Sequence, residues 1–160
     1  MALKKGEKAP DFTLPSTTGE KFTLSKDRAG KATVLYFYPK DFTRVCTEEA
    51  CEFRDAFEDF KDLGVDVIGI SRDTVDTHHK FKEKHDLPFE LLADVQGAVA
   101  KKYKASMPIL SMSKRITYLL DENHVVKAVI ENMFSAKKHL KEMLKGATDL
   151  EFQPEMVGRK

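Results

Sequence analysis

The sequence lacks a dominant charge, a long apolar run and more than two cysteines, and each absence removes a class of function. It holds 27 Lys and Arg against 26 Asp and Glu, a net charge of +1, so nothing in the balance points to nucleic acid or to a membrane surface. The basic clusters Lys101-Lys102, Lys137-Lys138 and Arg159-Lys160 are short and read as solvated faces. No run approaches the roughly 20 apolar residues of a membrane helix. The opening Met1-Ala2-Leu3-Lys4-Lys5-Gly6-Glu7-Lys8 is polar, without the apolar core of a signal peptide, so a cytoplasmic location is expected. Two cysteines in a 160-residue chain point to catalytic or redox-sensing use rather than to a disulfide framework. By themselves they are too few for a four-ligand zinc site.

What is present is enough for one core. Apolar residues make up 41% of the chain, which argues against general disorder. Val34 to Tyr38, Val65 to Ile70, Ile116 to Leu120 and Val125 to Ile130 read as buried strands. The last two flank Asp121-Glu122-Asn123-His124 and form an expected antiparallel hairpin. Phe12 to Leu14 and Lys21 to Leu24 flank a turn at Gly19 and are expected to pair. Thr47 to Leu63 reads as one helix, with Ala50, Phe53, Phe57 and Phe60 on one face and Gly64 as its stop. Asp76 to His85 reads as a polar helix capped by Asp76, and Gln96 to Tyr103 as a short one. Ser135 to Leu144 reads as a helix with Ser135 as cap, Leu140 and Leu144 as its apolar pair, and a stop at Gly146. The expected fold is α/β, a central mixed sheet flanked by helices. Residues 1–147 form one domain, and 148–160, with Pro154, form a C-terminal extension.

The densest chemistry runs from Tyr38 to Asp55. A buried strand ends at Pro39, a short loop follows, and a helix begins between Thr43 and Cys46. Cys46 then occupies a first helical turn, where unpaired N–H groups and partial positive charge favour an anion. The thiolate is the reactive form of cysteine. Thr43 is placed to cap the helix or to hydrogen-bond the sulfur and a substrate. Glu48 and Glu49 oppose ionisation of Cys46, so a cation must offset them. Arg115, directly ahead of the strand Ile116 to Leu120, is the candidate. Cys51 follows five residues after Cys46. In an intact helix that spacing separates the Cα atoms by roughly 8–9 Å, beyond the ~7 Å reach of a disulfide. A bond between the two would need the helix start to unwind; otherwise Cys51 is a small packed residue.

At these residues the sequence resembles the peroxiredoxins, and most closely their bacterioferritin-comigratory-protein or Q type. The family pattern Pro-x-x-x-Thr-x-x-Cys is met by Pro39, Thr43 and Cys46, and the longer subgroup pattern by Tyr38 through Asp55. Glu49 and Arg115 fall at the family's acidic and arginine positions. Ala9-Pro10-Asp11-Phe12 and Gly69-Ile70-Ser71 extend the resemblance, which runs from Glu7 to Leu144. It implies a thioredoxin-like fold and reduction of hydrogen peroxide and organic hydroperoxides to water and alcohols. Cys46 would be the peroxidatic residue, passing through a sulfenic acid. Cys51 would be the resolving residue, closing an intramolecular disulfide that thioredoxin or a similar dithiol reductant opens. Thr43, Arg115 and loop amides would polarise the peroxide, and Pro39 would shield the sulfur. The resemblance implies no metal, flavin or haem, and a monomer. One departure stands out: Arg44-Val45 replaces the subgroup's Pro-Gly before the cysteine, with Arg44 expected to point to solvent.

Other features take plainer readings. His78 and His79 are helix neighbours pointing ~100° apart, poor geometry for a metal. Phe42 and Phe89 read as packing, Tyr38 as core or as a hydrogen-bonding neighbour of the site, and Arg54–Asp55 as a pair at the helix start. A redox sensor using the same cysteines would not need Thr43, Glu49 and Arg115. A general disulfide oxidoreductase of the thioredoxin type would need Cys-x-x-Cys, which is absent.

Overall fold

A computed structural model describes residues 2–151. A small antiparallel ladder opens the chain, β1 (Thr13–Pro15) with β2 (Lys21–Thr23), followed by one helical turn, α1 (Leu24–Asp27). Then come β3 (Ala32–Phe37), α2 (Arg44–Asp55), α3 (Phe57–Asp62), β4 (Val65–Ser71), α4 (Val75–Lys84), β5 (Glu90–Ala93) and α5 (Ala98–Lys102). A hairpin, β6 (Ile116–Leu120) and β7 (Val126–Glu131), precedes the last helix, α6 (Ala136–Glu151). The main sheet is ordered β5-β4-β3-β6-β7. β3, β4 and β5 are parallel, while β6 and β7 run antiparallel.

Strand alternation divides β3 between two cores. Val34 and Tyr36 face the side covered by α2, α3 and α6, where Tyr36 stacks on Phe53 with ring centroids 4.9 Å apart. Leu35 and Phe37 face the other side, against Tyr103 and Tyr118. Both faces are covered, which is why these strands read as continuous apolar runs.

Several expectations are corrected. The helix expected over Thr47 to Leu63 is two helices, turned at Ala56, where φ is −99° and ψ is 5°. No Gly or Pro marks that turn; the packing of Phe53 and Phe60 on one core sets it. β5 is absent from the strands expected above because Glu90–Ala93 is only four residues long and leucine-rich, and β4 supplies its pairing. α4 is capped by the Thr74 side chain, which accepts from Thr77 N, and not by Asp76. Ser135 does cap α6, accepting from Lys138 N at 3.3 Å. Gly146 does not stop that helix: α6 runs on to Glu151, across the boundary set at residue 147. Its buried face is Ala136, His139, Met143 and Ala147, while Leu140 and Leu144 lie at the margin. The rest of the extension, 152–160, lies outside the described residues. No described helix is long and apolar enough to cross a membrane.

Candidate functional site

Sheet register brings the site together. β3 and β6 pair antiparallel with Phe37 opposite Ile116. The residue ahead of β6 therefore lies at the sheet edge where the chain leaves β3 for α2, and that residue is Arg115. Its Nη2 donates to Cys46 Sγ at 3.2 Å and its Nη1 to Glu49 Oε1 at 2.7 Å. Its Nε donates to Met133 O at 2.9 Å, which fixes the plane of the guanidinium. Cys46 and Glu49 are three apart on α2, hence on one face, and both are buried. The arrangement answers the charge problem posed by Glu49: one guanidinium serves the carboxylate and the sulfur together. Burial weighs against charge on Arg115, but ion pairing with Glu49 and Cys46 outweighs it and its pKa rises.

Cys46 sits in the first turn of α2, where Thr47 N is the first amide bonded back, to Thr43 O at 2.9 Å. The amides of Arg44, Val45 and Cys46 thus have no acceptor within the helix. Thr43 is the N-cap residue, yet its side chain neither caps the helix nor bonds the sulfur; its Oγ1 donates to Lys40 O at 2.8 Å. Pro39 is half-buried beside a cavity of about 300 Å³ lined also by Lys40, Arg72, Leu110 and Met112. Arg44 is 81% exposed and pairs with Glu48 at 3.3 Å, so it points to solvent as expected. Cys46 and Cys51 are both free thiols, the first buried and the second half-buried, within the unbroken helix α2.

Two further polar groups surround this centre and were not read as site residues. His139, from α6, is fully buried, with Nδ1 2.7 Å from Thr117 Oγ1 and 3.5 Å from Glu49 Oε2. Burial pushes Glu49 up to about 7, against the lowering pull of Arg115. Burial pushes His139 down to about 4. The legible signal was a histidine at the centre of an apolar helical face. On the other side, His78 is buried and bonds Asp41 Oδ2 at 2.6 Å, while the Tyr38 hydroxyl donates to Asp41 Oδ1 at 2.6 Å. Asp73 accepts from Asp41 N and from the Ser71 hydroxyl. Asp41, Asp73 and His78 place ligand-type atoms within 4.8 Å of one another, but these bonds already engage them and tie the Pro39–Thr43 loop to α4. Phe42, at φ 68°, packs on Phe81, and Phe89 packs on Tyr36. Arg54–Asp55 closes the end of α2 rather than its start, with Arg54 also reaching His85 O.

Known proteins repeat both the fold and the sequence. The AhpC/TSA family model matches residues 5–129. Chloroplastic peroxiredoxin Q of Oryza sativa is 44% identical over 144 residues, 89% of this chain and 66% of that protein; the chain thus spans just under two thirds of the rice relative. A putative peroxiredoxin bcp of Coxiella burnetii is 44% identical over 135 residues, 81% of this chain and 89% of that one. The solved structure of peroxidoxin BcpB from Mycobacterium tuberculosis superposes with a TM-score of 0.87 at 34% identity, covering 92% of this chain and 98% of that one. With a thioredoxin-like sheet, a cysteine opening α2 and an arginine bridging it to Glu49, the chain belongs to the AhpC/TSA family, among the peroxiredoxins of the Q or bacterioferritin-comigratory type.

Proposed function

We propose that the protein is a thiol peroxidase that reduces hydrogen peroxide and organic hydroperoxides with Cys46 and recovers through a Cys46–Cys51 disulfide. The observation that carries this reading is the Arg115 guanidinium held between Cys46 Sγ and Glu49. A fixed cation beside the sulfur favours the thiolate, and as the O–O bond lengthens it faces the charge spreading onto oxygen. The thiolate attacks the terminal oxygen, the O–O bond breaks, and water or an alcohol leaves while Cys46 becomes a sulfenic acid. The unbonded amides at the start of α2 add donors. Thr43 already donates to Lys40 O, so its oxygen is left to accept a hydrogen bond from the peroxide. Pro39 screens the sulfur, and the cavity beside it has apolar wall from Leu110 and Met112 for the carbon chain of an organic hydroperoxide.

Resolution needs a second shape. An intact α2 keeps the two Cα atoms roughly 8–9 Å apart, so the first turns of α2 unwind before Cys51 reaches the sulfenic sulfur. Thioredoxin or another dithiol then opens the disulfide. Resolution within one chain fits a monomer, and the reading includes a cytoplasmic setting. The test is turnover: reduced protein, hydrogen peroxide, thioredoxin, thioredoxin reductase and NADPH should together consume NADPH. No consumption with this couple or with other dithiol reductants sinks the proposal.

A further inference from the structure

Hydrogen-bond inventory sets the proton count of the pocket behind Cys46. Asn132 O, 2.8 Å from His139 Nε2, can only accept, so that nitrogen carries the ring proton. A neutral imidazole then offers Nδ1 as an acceptor, and it takes the Thr117 hydroxyl proton at 2.7 Å. Thr117 also lies where its hydroxyl would lower the Glu49 pKa by hydrogen bonding to it, but one proton cannot serve both acceptors, and the 2.7 Å contact gives it to His139. Glu49 Oε1 accepts from Arg115, while Oε2 is sealed from water with no donor among the described residues. His139 Nδ1 lies only 3.5 Å from that oxygen. An ionised, buried oxygen without a donor is costly. A single added proton removes the defect: a protonated Glu49 becomes a donor, and the Thr117–His139 couple is the acceptor beside it.

Charge points the same way. With Cys46 as the thiol, Arg115 and Glu49 neutralise each other. With Cys46 as the thiolate, the same buried group carries one excess negative charge unless a proton stays within it, and uncompensated buried charge is disfavoured. We propose that His139 is a positioning residue for the peroxidase chemistry: through Thr117 and its own Nδ1 it equips Glu49 to hold the proton that Cys46 releases, so that the thiolate forms in a pocket of zero net charge. This rests on the reading of Cys46 as the attacking thiolate. Glu49 takes up the proton, because burial raises the carboxyl to about 7 and lowers the imidazole to about 4. Thr117 reorients to accept from Glu49 while still donating to His139.

The cycle balances. The Cys46 S–H bond breaks and an O–H bond forms on Glu49. The thiolate pair then attacks the peroxide, sulfur is oxidised to the sulfenic acid, and the O–O bond is reduced. The leaving alkoxide or hydroxide is protonated from water. Once the thiolate charge is gone, Glu49 returns its proton to solvent, so the sum is thiol plus hydroperoxide giving sulfenic acid plus alcohol or water. Among the described residues, the other ionisable groups facing the Glu49–His139 pair are Cys46 on α2, Arg115 ahead of β6 and Tyr36 on β3.

The test follows the reaction of reduced protein with hydrogen peroxide in single turnover, from about pH 5 to about pH 9, in wild type and His139→Gln. In the variant Glu49 holds the proton less well, so the thiol must release it to solvent. The midpoint of the rate profile should then move up by about one pH unit, giving a roughly tenfold loss on the acid side that vanishes at high pH. Superimposed profiles, or a loss by the same factor at every pH, overturn the proposal. A wild type that does not react at any pH overturns the peroxidase reading instead. A second measurement leaves His139 in place: the carbon-13 signal of the Glu49 carboxyl, titrated in wild type and in Cys46→Ser. Removing the thiolate should lower the Glu49 midpoint by about one unit or more. Equal midpoints overturn the proposal even if His139→Gln fails to fold.

Discussion

Arg115 Nη2 donates to Cys46 Sγ at 3.2 Å although 69 positions separate the two residues in the chain. Helix α2 offers Cys46 and Glu49 on one face, and the antiparallel entry of β6 beside β3 delivers the cation to both. Neither residue has the other as a sequence neighbour, so the contact is a property of the sheet order.

Replacing Arg115 tests that contact. Arg115→Lys keeps a charge but cannot serve Cys46 and Glu49 with a planar fork. Arg115→Ala leaves neither partner served. The rate of Cys46 oxidation by peroxide should fall by about 10²–10³ in the alanine variant, with the lysine variant between it and wild type. Stability should fall by about 3 kcal/mol in urea unfolding of the alanine variant, since one partner of a buried pair is gone. Equal peroxide rates in all three proteins would remove Arg115 from the mechanism.

The cysteines should separate cleanly. Cys51→Ser is expected to consume one equivalent of peroxide and to leave a trappable sulfenic acid on Cys46, while Cys46→Ser is inert. Intact mass and peptide mapping after stoichiometric peroxide should show a Cys46–Cys51 bridge in wild type alone. Full reductant-linked turnover by Cys51→Ser would mean that Cys51 does not resolve.

Burial raises Glu49 from 4.5 to about 7 and lowers His139 from 6.5 to about 4. Between the two Glu49 values the folded chain holds a proton that the unfolded chain has lost, so this contribution to stability falls as pH rises. Between the two His139 values the unfolded chain holds the extra proton, so that contribution rises with pH. The two nearly cancel. Glu49→Gln removes the falling one, and its stability should climb relative to wild type through that window by up to about 1.4 kcal/mol per pH unit. Urea midpoints measured across the window check this, and parallel curves would contradict it.

Gly146 lies inside α6, where a Cβ would sit 2.8 Å from Leu119 Cδ2 and 3.0 Å from Ala128 Cβ. Alanine is the better helix former by about 1 kcal/mol, yet here it must push against the sheet. Gly146→Ala is expected to destabilise by about 1–2 kcal/mol. A higher melting temperature would show that α6 can lift without cost.

Much of this was legible. The apolar runs gave the central strands, and the Pro39-Thr43-Cys46 spacing gave the helix start. Arg115 was identified by its place ahead of a strand and by the need to offset Glu49. Other features escaped for physical reasons, beyond β5 and the cap of α4. Ala56 turns a helix without a breaker, because packing of Phe53 and Phe60 outweighs local propensity. Gly146 looks like a stop, but it is the one residue small enough for the approach of α6 to Leu119 and Ala128. His78 reads as a polar helix residue and His139 as one histidine on an apolar helical face, while their partners Asp41, Thr117 and Glu49 are assigned only by tertiary contact.

The site is walled on one side by α6, the last element described. On a ribosome, Cys46 and Glu49 are made early and His139 late, with about ten seconds of synthesis between them at typical rates. Through that interval Cys46 belongs to a chain that lacks α6, and for most of it Arg115 is not yet made either. The pocket around Cys46, Glu49 and His139 therefore closes only when α6 docks, after the elements that carry the sulfur and the carboxylate have been made.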